Sequence, residues 1–539
     1  MKTRLFNKIS QGVLLGVLLQ VTGCTETSNN FYTPDNDPPS LLSITPANGE
    51  AAEISKTIVL TFNEYVKAGE GKAIFNGSEV TLTFQDRTVS YSYDGLEYES
   101  NCEFSVSPGA ISDMSGNLFD GISIQFSTIE RPQPDARIFD AIVSLDGTGT
   151  HTAIQTAIDD APVNRTEPWL IFVKNGKYEE QIIIPDNKPF IHLIGQDVDK
   201  TKIELKINSA SDPATTDPGD WIYSSIYLNK PEAAVVTVRA SDFYAENISF
   251  INGYGTDFQR GPMALAMYSR NDRNSFNNCK FTSFQDTWQT SPKSANGRIY
   301  AQNCWIEGAV DYFYGSGNCF LESCTFYNVR DGSVIMAPAH TADARWGYVM
   351  SNCVVDGNEL AAKGGHMLGR PWHNSPMCIY LNTTLNVPIA AEGWNNMGAI
   401  PKLFAEYNTR DKNGNLVDLG QRRTQYEYND DLGQIVSGSC QAVLSADEAA
   451  RYTYENVIRE GDNWNPRKYM EKVSAPTNLK RENGRLSWDM SKYAICYIVL
   501  EGDKVVQITK DTFCDVEDGH VYQIKAVGEY GSLSEPSQE

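Results

Sequence analysis

Histidine is scarce in this chain, 6 in 539 residues, and none falls in an H-E-x-x-H or H-x-E pattern. A zinc site built on those spacings is therefore unsupported. No C-x-x-C occurs among the 11 cysteines, and no G-x-S-x-G occurs anywhere. The second absence removes the strained serine elbow on which many hydrolases depend. Basic residues are also short: 45 Lys and Arg against 68 Asp and Glu leave a formal net charge of −23. Nothing supplies the cationic surface that neutralises phosphates, which excludes a nucleic-acid binder. Long apolar runs are nearly missing too. The stretch from Val13 to Leu19 is too short for a transmembrane helix.

That stretch belongs instead to a processing signal. Lys2, Arg4 and Lys8 precede it and Val21-Thr22-Gly23-Cys24 follows, a segment similar to a bacterial lipobox. The expectation is export, removal of residues 1–23, and lipidation of Cys24 that anchors the protein in the cell envelope, at the outer membrane. Residues 24–37 read as a polar, flexible tether. Hydrophobic content of 41% and charged content of 21% suit large buried cores, and the length suits two to four domains.

Two strand-rich modules flank the middle of the chain. Residues 38–129 alternate in Ile58–Phe62, Val80–Phe84 and Ile122–Phe126, the last with Ile122, Ile124 and Phe126 on one face. That predicts a small β-sandwich. Its opening Ser43-Ile44-Thr45-Pro46-Ala47-Asn48-Gly49 resembles bacterial immunoglobulin-like modules. Arg131-Pro132-Gln133-Pro134 marks a linker. Residues 474–537 form the second module, and its closing Gly528-Glu529-Tyr530-Gly531-Ser532-Leu533-Ser534 resembles fibronectin type III domains. Spacing is the plainer role for both. Whether Cys496 and Cys514 pair is left open by their spacing.

Between them, residues 136–468 repeat. Asn247-Ile248-Ser249-Phe250, Asn278-Cys279-Lys280-Phe281, Asn303-Cys304-Trp305-Ile306, Ser323-Cys324-Thr325-Phe326 and Asn352-Cys353-Val354-Val355 share one pattern, and Asn382-Thr383-Thr384-Leu385 is a weaker copy. Each has a small polar residue, then Cys or Ile, then any residue, then a larger apolar one. The starts lie 31, 25, 20, 29 and 30 residues apart. Fixed rungs with variable loops predict a parallel β-helix, so the fold class is all-β. Positions two apart share a face, so the cysteines line the interior as packing rather than as disulfides or metal ligands. Upstream, Ile154, Ala157 and Ile158 share one face of a predicted capping helix, with Thr152 as its N-cap.

The rungs bring two acids together. Asp286 lies five residues beyond Phe281, and Asp311 five beyond Ile306. Adjacent coils stack about 4.8 Å apart, so acids at one offset on neighbouring coils are neighbours in space. Two carboxylates that close cannot easily both ionise, which yields an acid beside a base or a nucleophile. An arginine would decide which is which, and Arg370 in Leu368-Gly369-Arg370-Pro371-Trp372 is the candidate.

Gly176-Lys177-Tyr178-Glu179-Glu180, Phe284-Gln285-Asp286-Thr287-Trp288, Asp311-Tyr312-Phe313-Tyr314-Gly315 and Leu368-Gly369-Arg370-Pro371-Trp372 resemble, in order, the signature segments of pectin methylesterases. The resemblance implies a right-handed β-helix that removes methyl esters from galacturonate in pectin, with no cofactor or metal. It implies Asp311 as nucleophile, Asp286 as general acid and then base, Gln285 as oxyanion donor, and Arg370 as the partner that keeps Asp311 ionised. Trp372, Trp288, Tyr314, Arg370 and the position of Met263 would contact the substrate. Methyl-esterified pectin is then the partner, nucleic acid is not, and a monomer is expected. One departure stands out. Met263 occupies a position where the family has an oxyanion glutamine, and a thioether cannot donate. Gln259 or a backbone amide is the substitute to look for. Because of Met263, a non-catalytic pectin-binding lipoprotein and a hydrolase of another ester remain alternatives. A lyase or glycosidase on the same solenoid is a weaker one.

Overall fold

The computed structural model describes residues 35–208, 222–223, 234–259, 261 and 263–538. The export signal, Cys24 and most of the tether lie outside the described residues. The chain divides into two units, Met1–Arg131 and Pro132–Glu539.

In the first unit, Lys56–Phe62 alternates so that Ile58, Leu60 and Phe62 are buried, and Asn101–Val106 buries Cys102, Phe104 and Val106. Period-two patterning of this kind makes sheets with one apolar face, and two such sheets close on each other. A four-stranded and a five-stranded sheet do so here, with Ile124 and Phe126 in the core. Ile122 is only half-buried at the strand's start. The run Val80–Phe84 is not one strand. Ser78–Val80 pairs with Ala73–Phe75 in the larger sheet, while Thr83–Gln85 pairs with Thr88–Tyr93 in the smaller.

The second unit is a parallel β-helix of three sheets with ten, nine and seven strands. The ten-stranded sheet runs from Ala141–Val143 to Leu403–Tyr407, the nine-stranded from Gly176–Tyr178 to Arg410–Asp411, and the seven-stranded from Ile182–Ile184 to Met367–Gly369. The repeat read from sequence is in register. Phe250, Phe281, Ile306, Phe326, Val355 and Leu385 are successive partners down the nine-stranded sheet. Cys279, Cys304, Cys324 and Cys353 form the expected buried ladder, all with free thiols. Each copy's first residue turns a corner: Asn247, Asn278, Asn303, Ser323, Asn352 and Asn382 all have φ between 48° and 58°. Asn tolerates this left-handed region better than most residues. Asn408, at φ 53°, turns a seventh corner.

The capping helix, Ile154–Asp160, buries Ile154, Ala157 and Ile158 as expected. Its cap differs. Thr152 is not the N-cap; Ala153 is, without a side-chain bond. The carboxylate of Glu180 takes the orphan amides instead, accepting from Ile154 N at 2.7 Å and Gln155 N at 3.0 Å.

The ten-stranded sheet is buried on both faces. Leu170, Phe172, Ile194, Tyr244 and Tyr300 point outward beneath the segment that contains Tyr454, Val457 and Ile458, and beneath the C-terminal module. That module has a three-stranded and a four-stranded antiparallel sheet. Its strand Ala494–Glu501 is buried along almost its whole length. Tyr497 and Val499 face the module's own core, while Ile495, Cys496 and Ile498 face the β-helix. Cys514 joins the former cluster, so Cys496 and Cys514 point into different cores and form no disulfide with each other. A free-hanging spacer would have a polar outer face; this module is docked.

Candidate active site

The site lies on the seven-stranded sheet, where segments from three of four successive coils converge. Trp288 pairs with Phe313 and Gln289 with Tyr314, and the bridge from Gln285 to Val310 keeps the same offset. Asp286 therefore stands opposite Asp311, as the repeat predicts, and its amide donates to the Val310 carbonyl at 2.9 Å. Asp286 sits in the bend before the strand Trp288–Thr290 and Asp311 is the second residue of Val310–Gly315, both in the left-handed region with φ 61° and 47°. On the other side of Asp311 the register shifts between Val310 and Phe313. Such an irregularity re-aims a side chain, and this one presents Asp311 outward. Gly315 makes the segment possible. At φ 111°, a Cβ there would lie 1.9 Å from the Thr290 carbonyl oxygen.

Arg370 arrives from two coils away. Gly369 pairs with Met336, and a Cβ on it would crowd the Met336 carbonyl at 3.1 Å and the Trp394 ring at 3.4 Å. The intervening coil carries only Ala337 next to Tyr314. Across that small residue, Arg370 Nε donates to Asp311 Oδ1 at 2.8 Å and Nη2 to Oδ2 at 2.5 Å. A two-pronged guanidinium contact is strong and geometrically demanding.

The fork divides the two acids. Asp286 and Asp311 are 7% and 8% exposed. Burial, then the charge of Asp311, pushes the Asp286 carboxyl up to about 8, partly offset by Arg370 and by a hydrogen bond from Tyr314. Burial also raises Asp311, but the Arg370 hydrogen bonds and charge oppose it. At neutral pH, Asp286 holds the proton and Asp311 the charge.

The expected aromatic wall is mostly elsewhere. Trp288 does not reach the cleft; it is fully buried inside the solenoid, stacked on Phe281 at 4.1 Å with its indole N–H on Ser269 Oγ. Asp286 precedes the strand Trp288–Thr290 in a bend at φ 61°, so it escapes the alternation that turns Trp288 in and Gln289 out. Tyr312 is equally buried, its hydroxyl on Asn328. Tyr314 faces the acids, and Trp372, half-buried, meets it edge-on at 5.6 Å. Gln285 is half-buried beside Asp286, and its Oε1 lies where a Cβ on Gly261 would be 2.6 Å away. Ala264 N donates to the Gln285 carbonyl, which sets Met263 beside this coil, 37% exposed. Gln259 directs its amide nitrogen to the Thr256 carbonyl. The Gly176–Glu180 segment is structural: Tyr178 is buried with its hydroxyl on Lys174 O, and Glu180 caps the helix.

Two residues at the site escaped sequence reading. Gln289 accepts a hydrogen bond from Tyr314 at 3.1 Å. Arg330 lies over the Phe284 ring at 5.6 Å. Register alone would have found Gln289, one strand step outward from the buried Trp288.

The sequence model of pectinesterases matches residues 140–460, and that of a bacterial Ig-like domain matches residues 35–128. This chain belongs to the pectinesterase family. It is similar to probable pectinesterase A of Neosartorya fischeri, 31% identical over 327 residues that span 59% of this chain and 91% of that one. It is 30% identical to pectinesterase 31 of Arabidopsis thaliana over 48% of this chain and 76% of that protein. Among solved structures, pectin methylesterase from carrot is 20% identical over 61% of this chain and 96% of that one, with a TM-score of 0.49. All three segments of the site fall inside the pectinesterase match.

Proposed function

We propose that this pectinesterase removes methyl esters from galacturonate residues of pectin through a covalent acyl intermediate on Asp311. The observation that carries the reading is the Arg370 fork on one acid of a stacked pair. Asp311, kept ionised, attacks the ester carbonyl. Asp286, protonated at neutral pH, gives its proton to the departing methoxide, and methanol leaves. The Asp286 carboxylate then takes a proton from water, whose oxygen attacks the acyl carbon and frees Asp311. Gln285 donates to the oxygen that gains charge in both steps; such a donor typically supplies about 3 kcal/mol. Trp372 offers an apolar wall for a sugar ring, and Met263 flanks the donor. Both acids and the arginine come from one chain, so a monomer suffices.

The test is methanol release from methylated pectin with chain length monitored. Methanol without new reducing ends and without an ultraviolet-absorbing unsaturated product is expected. Pectin retention with no methanol would sink the reading in favour of a binding module. We further propose that the protein is exported and lipid-anchored through Cys24, a reading supported by the charged start, the short apolar run and Val21–Cys24. Cys24→Ala should move the protein out of the membrane fraction; an unchanged distribution would refute the anchor.

A further inference from the structure

Tyr314 does more than wall the cleft. Its hydroxyl donates to Gln289 Oε1 at 3.1 Å, and Gln289 is its register partner on the preceding coil. The same phenol lies within reach of the Asp286 carboxyl, three residues before Gln289, and helps to hold its pKa down. Edge-on contact with Trp372 fixes the ring, and only 6% of the residue is exposed. Its single hydroxyl hydrogen can serve only one of these two acceptors at a time, with little water to substitute for either.

The geometry points to Gln289 and Tyr314 as a neutral hydrogen-bond switch that follows the proton on Asp286 through the catalytic cycle, with Tyr314 as a positioning residue. The inference rests on Asp286 being the acid. While Asp286 holds its proton, the Tyr314 hydrogen is best placed on Gln289, whose Oε1 lies 3.1 Å from the hydroxyl. Once that proton has passed to the methoxide oxygen, the Asp286 carboxylate is the stronger acceptor, because bonds to charged groups are roughly twice as strong. The hydroxyl then rotates to Asp286. Gln289, half-buried, turns its amide so that Nε2 donates to the phenol oxygen. When water returns a proton to Asp286, the hydroxyl swings back. No proton leaves Tyr314 itself; burial and the neighbouring acids hold its phenol far above the usual range.

The other groups acting on this pair give no such response. Asp311 repels charge on Asp286, and Arg370 is committed to Asp311. Tyr268, on the strand Leu265–Ser269, is the register partner of Gln289 on its far side and, like Asp311, acts on Tyr314 through charge alone. Among the groups that act on Asp286, Tyr314 is the neutral donor. It can stabilise the carboxylate when it forms without holding Asp286 ionised beforehand.

The experiment is the pH profile of kcat/KM for methanol release by the full chain, in wild type, Tyr314→Phe, Gln289→Leu and Asp286→Asn. Tyr314→Phe removes the donor to the carboxylate, so the alkaline limb should rise by about one pH unit and kcat fall about tenfold. Gln289→Leu removes the competing acceptor, so the hydroxyl stays on Asp286 and the limb should fall. Opposite displacements are what a packing role does not produce. Limbs that stay put, or move the same way, overturn the switch. If Tyr314→Phe does not fold, the half-buried Gln289→Leu decides alone, and a limb that is unmoved or raised overturns it. An Asp286→Asn enzyme as fast as wild type would instead remove the acid itself, overturning both the switch and the mechanism beneath it.

Discussion

Asp286 and Asp311 are the same side chain on neighbouring coils, and one guanidinium separates their roles. The active form holds a proton on Asp286 and a charge on Asp311, so activity should fall as pH rises through about 8. On the acid side, it should fall as Asp311 takes up a proton, above the ordinary value of 3.8. A rate that is flat across the alkaline range would refute this. Stability should move as well. The folded-state pKa of Asp286 exceeds its unfolded value, so the fold binds that proton more tightly than the open chain does. The stability this lends is complete below pH 3.8 and is lost as pH rises through about 8. Asp286→Asn, which cannot ionise, should therefore stabilise the protein at pH 9 by on the order of 5 kcal/mol more than at pH 4. Denaturant melts at the two pH values measure the difference, and equal shifts would contradict it. Met263→Gln adds a donor beside Gln285, and kcat should increase roughly tenfold; an unchanged rate would mean that another group already fills the role. The two acids were legible because repeat spacing fixes register, whereas Arg370 stood out only by its Gly369-Arg370-Pro371-Trp372 setting and the family resemblance. The aromatics were not. A run such as Asp286-Thr287-Trp288 does not tell which side chain points outward until its strand partners are known, and Trp288 points in.

The corners between strands depend on a different property of the chain. Each repeat copy opens on Asn or Ser, which reads as a register mark but has a backbone cause: the chain turns there at positive φ. Asn303, at φ 54°, is a test case. A β-branched residue in that region is strained by about 1–3 kcal/mol, whereas glycine is not. Asn303→Val should lower the melting temperature by several degrees, and Asn303→Gly should leave it nearly unchanged. Equal losses from both would indicate that the side-chain amide matters, not the corner. Asn408 escaped notice because its copy has Thr409 where most others have Cys or Ile, so the apolar half of the pattern was missing. The strand switch after Val80 was hidden for the converse reason. The run Val80–Phe84 alternates well enough for one strand, and only sheet membership shows that two short strands share it. Glu180 belongs with these. Its bond to the helix amides spans 25 and 26 residues, beyond the reach of any local capping rule.

The C-terminal module changes what counts as the catalytic unit. Its strand Ala494–Glu501 has apolar residues on both faces, and one face covers the outer side of the ten-stranded sheet. Polar contacts fix the fit: Ser532 Oγ donates to Glu246, which is fully buried, and the Tyr530 carbonyl meets His192 at 3.0 Å. Glycine is required at 531. At φ 101°, a Cβ there would also lie 2.7 Å from Ile194 Cγ1. Removing the module would expose Ile194 and Tyr244 and leave Glu246 without Ser532, so the β-helix should not stay soluble without it. The less drastic form of the prediction is calorimetric. The unit ending at Arg131 has its own core and should give one transition, while the β-helix and the C-terminal module should melt together in a second. Gly531→Val should lower the second transition and leave the first unmoved, because the clash and the backbone strain both fall on the docked face. A third transition that shifts alone would show that the module unfolds independently and only spaces the enzyme after all.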